Sequence, residues 1–174
     1  MTHDPLPGVI LGIDPGLNIT GYGVIERGPA GPRVVEAGIL RGSEAREKPE
    51  LAVRLRHLYQ GMVEVIDQFK PALMAVEQLY AHYAHPRTAI LMGHARGVML
   101  LAGAVAGVRV ASFNATTIKK TITGSGRAPK PQVQRAVQQE LRLATLPDPP
   151  DVADALAVAL CAYYVERNYE KGRT

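Results

Sequence analysis

The chain has 174 residues, of which 47% are hydrophobic and 21% charged. This composition is typical of one globular domain with a substantial core. Residues 97–108 form the longest apolar run and are too few to span a bilayer, and residues 1–8 lack the features of a secretory signal. We therefore expect a cytoplasmic protein with no membrane partner. The formal net charge of +4 alone barely favours a nucleic-acid partner.

The chain opens with three predicted strands, at residues 9–14, 20–26 and 33–41. The first is almost wholly apolar, which is typical of a strand covered on both faces. Turn residues separate the three, so they predict an antiparallel meander. Gly21 and Gly23 in the second strand indicate the close approach of another backbone.

The middle of the chain alternates helices and strands. Apolar spacing predicts a helix over residues 50–69, and the strand at 72–77 is expected to run parallel to its neighbour after this crossover. Residues 78–85 are expected to form an exposed loop. A long helix over 86–107, with Pro86 in its first turn, leads to a fifth strand at 108–113.

The helix predicted over residues 86–107 is rich in small side chains. They are Gly93, Ala95, Gly97, Ala102, Gly103, Ala104 and Gly107. Because each Gly costs about 1 kcal/mol against Ala in a helix, so many indicate close packing. Two interpretations stay open, namely packing on the chain's own sheet and a subunit interface. We expect Arg96, on this helix, to pair with an acid or a carbonyl rather than with DNA.

Three further helices are predicted, over 114–121 with Asn114 as its cap, over 130–143, and over 151–169. The single cysteine, Cys161, excludes an internal disulfide, and its place on an apolar helix face indicates an inert buried thiol. The fold class is α/β, with a five-stranded mixed sheet flanked by helices. We expect one domain over 1–174, with 1–8 as an extension and 170–174 as a frayed tail.

Four carboxylates lie on three separated stretches. Asp14 and Glu77 end apolar strands, and Asp151 and Asp154 stand one turn apart at the head of the last helix. Because open α/β sheets bind ligands at such rims, we predict that the four converge. Taken singly, the aspartates could be ordinary helix-capping or turn residues, and Glu77 a surface strand end.

Clustered acids at the ends of apolar runs would be poorly solvated and would repel one another unless cations were bound. Carboxylates favour Mg²⁺ or Mn²⁺ over softer metals. Two such ions about 4 Å apart stabilise the attacking and leaving oxygens of phosphodiester cleavage. The acids therefore predict a divalent-metal site for phosphoryl chemistry.

A basic region lies between the acidic stretches. Its members are Lys119, Lys120, Arg127, Lys130, Arg135 and Arg142. Basic surface around an acidic pocket suits a polyphosphate substrate, although adjacent lysines are commonly just solvated. Tyr80, beside the strand ending at Glu77, could stack on an unpaired base, and Tyr83 could share that role. His82 and His85 are expected to contact phosphate or to be simply exposed.

Five motifs carry a family resemblance. They are ILGIDPG at 10–16, TGYGVI at 20–25, AVEQ at 75–78, GHARGV at 93–98 and DVADALA at 151–157. In this order they resemble the RuvC family of bacterial Holliday-junction resolvases, which has a ribonuclease H-like fold. The resemblance spans residues 9 to 164.

This resemblance implies a homodimeric, Mg²⁺-dependent endodeoxyribonuclease that nicks four-way DNA junctions symmetrically during recombination and repair. It also implies contact with the branch-migration proteins RuvA and RuvB, while the carboxylate chemistry itself predicts two ions per active site, with Mn²⁺ as a substitute for Mg²⁺. The residues that match the family's metal-site acids are Asp14, Glu77, Asp151 and Asp154. The DNA-binding candidates are Lys119, Lys120, Arg127, Lys130, Tyr80 and Tyr83. Pro129 and Pro131 beside Lys130 depart from the family pattern.

Three other functions share some of these features. A sugar-kinase-like phosphotransferase also starts with a strand, Asp and Gly, but its fold needs two such domains and 174 residues are too few. An inactive junction-binding protein would not need four acids. A ribonuclease H-like enzyme acting on RNA or RNA–DNA hybrids is not separated from a junction nuclease by the basic region.

Overall fold

The computed structural model describes residues 8–43, 49–79 and 86–171. The strands are β1 (Val9–Asp14), β2 (Ile19–Gly28), β3 (Gly31–Arg41), β4 (Leu73–Glu77) and β5 (Arg109–Phe113). The helices are α1 (Leu51–Phe69), α2 (Pro86–Val105), α3 (Ala115–Thr123), α4 (Lys130–Glu140) and α5 (Pro150–Lys171). Tyr80, Tyr83, His82, His85, most of the predicted N-terminal extension and the last three residues lie outside the described residues.

The five strands form one mixed sheet in the order β3-β2-β1-β4-β5. β1 pairs antiparallel with β2, and β2 with β3, whereas β1–β4 and β4–β5 are parallel. The predicted α/β class, the antiparallel opening and the parallel return of β4 are therefore confirmed. Because β1, β4 and β5 run the same way, their carboxyl ends meet at one edge, which is where Asp14 and Glu77 lie.

The sheet separates two hydrophobic cores. One face packs against α3, α4 and α5, and the other against α1 and α2. Residues 155–163 of α5 are all buried, as expected of a helix that is apolar on every side. Cys161 in this run is buried and has a free thiol, as predicted.

Glycines in β1 and β2 let α5 lie directly on the sheet. A Cβ atom on Gly12 would collide with the backbone of Ala155 and Ala159, and one on Gly21 would collide with the backbone of Asp151. A Cβ on Gly23 would meet the Leu156 side chain. The close approach predicted for Gly21 and Gly23 is confirmed, and α5 is the element that approaches.

Several element ends differ from the prediction, among them the C-terminal ends of α3, α4 and α5. α4 stops at Glu140 rather than at 143, because Arg142 adopts a φ of 53° that a right-handed helix cannot contain. α3 continues to Thr123 and ends at Gly124, whose φ is 79°, while its predicted cap, Asn114, accepts from the Thr117 N–H at 2.7 Å. α5 continues to Lys171, two residues into the segment expected to fray.

The small residues of α2 divide between two faces. A Cβ on Gly103 would meet Met74 and Val110 of the sheet, whereas a Cβ on Gly93 or Gly97 would have no neighbouring atom within 4 Å. The open face also carries Ile90, Leu101 and Val105, which are 62%, 54% and 67% exposed. Packing on the sheet thus accounts for only part of the pattern. By length and composition alone, α2 would suffice to cross a membrane, a property that the shorter run at 97–108 did not suggest.

Candidate metal centre

A cavity of about 290 Å³ opens at the sheet edge where β1 and β4 end. Its lining consists of Asp14, Glu77, Ala115, Ile118, Lys119, Lys130, Val133, Asp154 and Ala157. Three carboxylates from β1, β4 and α5 therefore share one volume with two lysines from α3 and α4. The remaining walls, Ala115, Ile118, Val133 and Ala157, are apolar.

Strand register brings the first two acids together. Ile13 on β1 pairs with Val76 on the parallel strand β4, so Asp14 and Glu77 follow at the same level. Neighbouring strands lie about 4.8 Å apart, and both preceding residues are fully buried. The two carboxylates consequently leave the core side by side.

The aspartates of α5 reach this edge because α5 docks on glycines. Gly21, against which the Asp151 backbone packs, is the β2 partner of Asp14. Asp154 lies one turn further along and lines the cavity, whereas Asp151 does not line it. Asp151 is nevertheless near enough for its charge to raise the pKa of Asp14. The structure thus brings three of the four predicted acids into one cavity and places the fourth beside it.

The fold opposes ionisation of Asp14. Burial raises the pKa of this carboxyl to about 8, and the charges of Glu77, Asp154 and Asp151 act in the same direction against the opposing effect of Lys130. Burial also raises the pKa of Glu77, as does Asp154, while Lys119 and Lys130 lower it. Clustered carboxylates with raised pKa values are the arrangement that a bound cation would relieve.

Lys130 is the positive partner of these acids. Its Nζ atom lies 2.6 Å from Oδ2 of Asp154, and this hydrogen bond raises the pKa of Lys130 despite the opposing effect of burial. Lys130 is the first residue of α4, with Pro129 as N-cap and Pro131 in the first turn, a position that suits proline. The flanking prolines therefore set the start of the helix, and Lys130 lines the cavity. A helix N-terminus disfavours a cation, a cost that Asp154 offsets.

The carboxylates of the cavity fit a hard cation whose coordination shell is only partly supplied by the protein. Within residues 8–43, 49–79 and 86–171, no three His, Cys, Asp or Glu side chains are already arranged around one ion position. A closed protein cage is therefore absent from the described part. Mg²⁺, however, usually takes only one or two carboxylates and completes its shell with water and substrate phosphate. The three cavity carboxylates suit Mg²⁺ or Mn²⁺ held in that way.

The other predicted DNA-binding residues differ in their relation to this cavity. Lys119 lines it, whereas Lys120 and Arg127 are exposed and do not. None of the ion pairs found in the described part of the chain involves these three residues. Lys120 and Arg127 are thus exposed and outside these ion pairs, whereas the charge of Lys119 also acts on Glu77, whose pKa it lowers. Nothing in the described residues bears on Tyr80 or Tyr83.

Arg96 makes the kind of contact expected of it. Its Nε atom donates to the carbonyl of Glu77 at 2.9 Å, and its Nη2 atom donates to Oγ of Ser112 at 2.7 Å. A carbonyl was among the predicted partners, so this part of the prediction is confirmed. Sequence reasoning did not single out Ser112, nor Gly12 as the position on which α5 rests. The neighbouring glycines of β2 were the available signal for Gly12.

Comparison with known proteins agrees with this geometry. The family described as "Crossover junction endodeoxyribonuclease RuvC" matches residues 10–162. The protein of that name from Rhodopirellula baltica is 53% identical, and the match covers 91% of this chain and 88% of the relative. The one from Desulforamulus reducens is 46% identical, and the match covers 88% of this chain and 91% of the relative.

Solved structures give the same result. Thermus thermophilus RuvC has a TM-score of 0.81 at 31% identity, covering 92% of this chain and 96% of its own. A structure of that protein in complex with Holliday junction substrate has a TM-score of 0.82 at the same identity and coverage. The fold is also shared with the yeast mitochondrial Holliday junction resolvase, at a TM-score of 0.62 and 11% identity. With its ribonuclease H-like sheet and its match over residues 10–162, this chain belongs to the RuvC family of crossover junction endodeoxyribonucleases.

Proposed function

We propose that this protein resolves Holliday junctions by metal-dependent hydrolysis at the cavity formed by Asp14, Glu77 and Asp154. The observation that carries the proposal is the meeting of these carboxylates with Lys119 and Lys130 at one sheet edge. Membership of the family makes the chain an endodeoxyribonuclease of DNA recombination and repair. The metal, the roles of the residues and the pairing of nicks are our inferences.

Asp14, Glu77 and Asp154 would hold Mg²⁺ or Mn²⁺, with Asp151 beside them. When bound, two such ions activate a water molecule and stabilise the charge that develops on the leaving oxygen. With a cation held there, Asp14 would stay ionised at neutral pH, because the positive charge would offset the burial and repulsion that raise its pKa. Asp154, which pairs with Lys130 in this structure, would serve as one of the ligands, and Lys130 would contact the scissile phosphate.

The basic residues would hold the DNA backbone around this cavity. Lys119 would contact the phosphate nearest the acids, and Lys120 and Arg127 would contact phosphates further along the strand. Tyr80 or Tyr83 would stack on bases opened at the junction centre. Phosphate contacts of this kind predict junction binding that weakens steeply with salt.

The open face of α2 supports a homodimer. Ile90, Leu101 and Val105 line this face, and the small residues Gly93 and Gly97 leave room for another backbone. A contiguous apolar stripe of this kind marks an interaction surface, and a second copy would cover it in a two-fold arrangement. Two active sites related by that axis suit a symmetric four-way junction. Action in the cytoplasm alongside RuvA and RuvB completes the proposal.

The proposal is tested by incubating the protein with three labelled substrates, each with and without Mg²⁺. The substrates are a four-way junction, a linear duplex of the same sequence and an RNA–DNA hybrid. We expect paired nicks in the junction only when Mg²⁺ is present. The control is Asp14→Asn, which should bind the junction with unchanged affinity and fail to cut it. Preferential cutting of the hybrid would contradict the proposed substrate. Cleavage by Asp14→Asn at the parental rate would contradict the proposed metal site.

A further inference from the structure

Glu77 stands at a weakly held position of the sheet. The β1–β4 register ends at Val76, so Glu77 pairs only with Phe113 on the other side. The next residue, Gln78, adds one hydrogen bond from its N–H to the Phe113 carbonyl at 2.8 Å. The backbone that carries this carboxylate is therefore secured to β5 and has no register partner on β1.

Arg96 supplies a further tether from outside the sheet. From α2 it donates 2.9 Å to the Glu77 carbonyl and 2.7 Å to the Ser112 hydroxyl on β5. The planar guanidinium is a rigid fork, so the two acceptors are held at a set separation from each other and from α2. Arg96 thereby ties the carboxyl ends of β4 and β5 to the helix that packs against them.

The contact of Arg96 with Glu77 is made to the backbone carbonyl of Glu77 rather than to its carboxylate. The cations that shift the pKa of Glu77 are Lys119 and Lys130, and Arg96 is not one of them. Its contact is with the backbone carbonyl. Removing Arg96 would leave the two lysines of the cavity in place but would free the strand end on which the carboxylate depends.

We infer that Arg96, with Ser112, is a positioning residue that sets Glu77 relative to Asp14 and Asp154 for divalent-metal binding. This inference rests on the proposed metal site. Groups that orient a metal ligand from behind affect metal affinity by about 10–100-fold when they are removed. The structure places Arg96 in such a role through a main-chain carbonyl.

The experiment measures Mn²⁺ affinity in the absence of DNA, from the paramagnetic resonance signal of the free ion. The variants are Arg96→Ala, Arg96→Lys and Ser112→Ala. The matched control is Arg109→Ala, which removes an arginine from the far end of β5, where it contacts Glu166 at 2.8 Å. We expect Arg96→Ala to weaken Mn²⁺ binding about tenfold or more. Ser112→Ala and Arg96→Lys should give smaller losses, since each keeps one donor–acceptor contact, and Arg109→Ala should stay within about twofold of the parent.

A Mn²⁺ affinity of Arg96→Ala within twofold of that of Arg109→Ala would overturn the inference. If Arg96→Ala does not fold, a parental Mn²⁺ affinity in both Arg96→Lys and Ser112→Ala would overturn the inference instead. The Mg²⁺ concentration for half-maximal junction cleavage is measured in parallel and should rise in the same order. If no protein cuts junctions but the Mn²⁺ order holds, the proposed function fails and the role of Arg96 stands. If junctions are cut but the Mn²⁺ order does not hold, the proposed function stands and the role of Arg96 fails.

Discussion

Asp14 shows how a single residue can oppose the stability of the fold that contains it. Its carboxyl follows a fully buried strand residue, and its pKa is raised from an ordinary 3.8 to about 8 by burial and by three neighbouring carboxylates. Between these values the unfolded chain has lost the proton and the folded chain retains it. The contribution of Asp14 to stability therefore falls as the pH rises from about 4 to about 8.

Asp14→Asn should for this reason stabilise the metal-free protein at neutral and alkaline pH. We expect a gain of about 1–3 kcal/mol at pH 8, or several degrees in Tm, after allowance for relaxation around the carboxylate. At pH 4 the variant and the parent should unfold at nearly the same temperature. Mg²⁺ should raise the Tm of the parent more than that of the variant. Thermal unfolding at the two pH values checks this, and a lower Tm for Asp14→Asn at pH 8 would contradict the stated cause.

At the scale of elements, the contact between α5 and β1–β2 determines where the aspartates lie. Glycine at position 12 allows the backbone of α5 to rest on β1, and Gly21 does the same opposite Asp14. If the helix stood one side chain further from the sheet, Asp151 and Asp154 would be displaced from Asp14 and Glu77. The small residues of the sheet are thus part of the construction of the candidate metal centre.

Gly12→Ala should accordingly impair stability and metal binding together. The added methyl group meets helix backbone, which cannot turn aside as a side chain would, so we expect a loss of about 2–3 kcal/mol or more. Gly61→Ala is the matched control, since the atom nearest to its new methyl group is the flexible end of the Leu40 side chain, at 3.0 Å. Denaturant unfolding measures the stability of both variants. Equal stability of the two variants would show that α5 does not depend on Gly12.

At the scale of the whole molecule, one face of α2 packs against the sheet, and the opposite face is apolar and exposed. Arg96 lies between the two faces and reaches Glu77 and Ser112. A second copy on the open face would bury the exposed stripe and set two cavities in a fixed relation. The proposed symmetric cleavage needs that relation, because opposed strands must be cut within one encounter.

Leu101→Asp should therefore yield a monomer that no longer makes paired nicks. Leu101 is 54% exposed, so the substitution places a charge in the proposed interface and leaves the protomer core intact. Leu146→Asp, at another exposed leucine away from α2, is the control. Sedimentation velocity gives the oligomeric state. A supercoiled plasmid bearing a four-way junction separates paired nicks, which linearise it, from single nicks, which leave an open circle. A dimeric Leu101→Asp protein would place the interface elsewhere.

Much of the fold and the candidate site was predictable because the signals are local in the sequence. The buried strands are apolar runs, Asp14 and Glu77 mark their ends, and Gly21 and Gly23 indicate a close neighbour. Motifs such as GHARGV and DVADALA, taken in order, predicted the family, and the comparison with known proteins confirms that prediction. Each of these features depends on a few adjacent residues and on rules of burial and backbone sterics.

Only the tertiary structure decided which distant groups touch. Periodicity could not show that α5 rests on Gly12, that Lys130 pairs with Asp154, or that Asp151 stands outside the cavity that Asp154 lines. It also could not divide the small residues of α2 between a sheet-facing side and an open side. These facts depend on the relative placement of elements far apart in the chain, where close packing and the desolvation of charges select one arrangement.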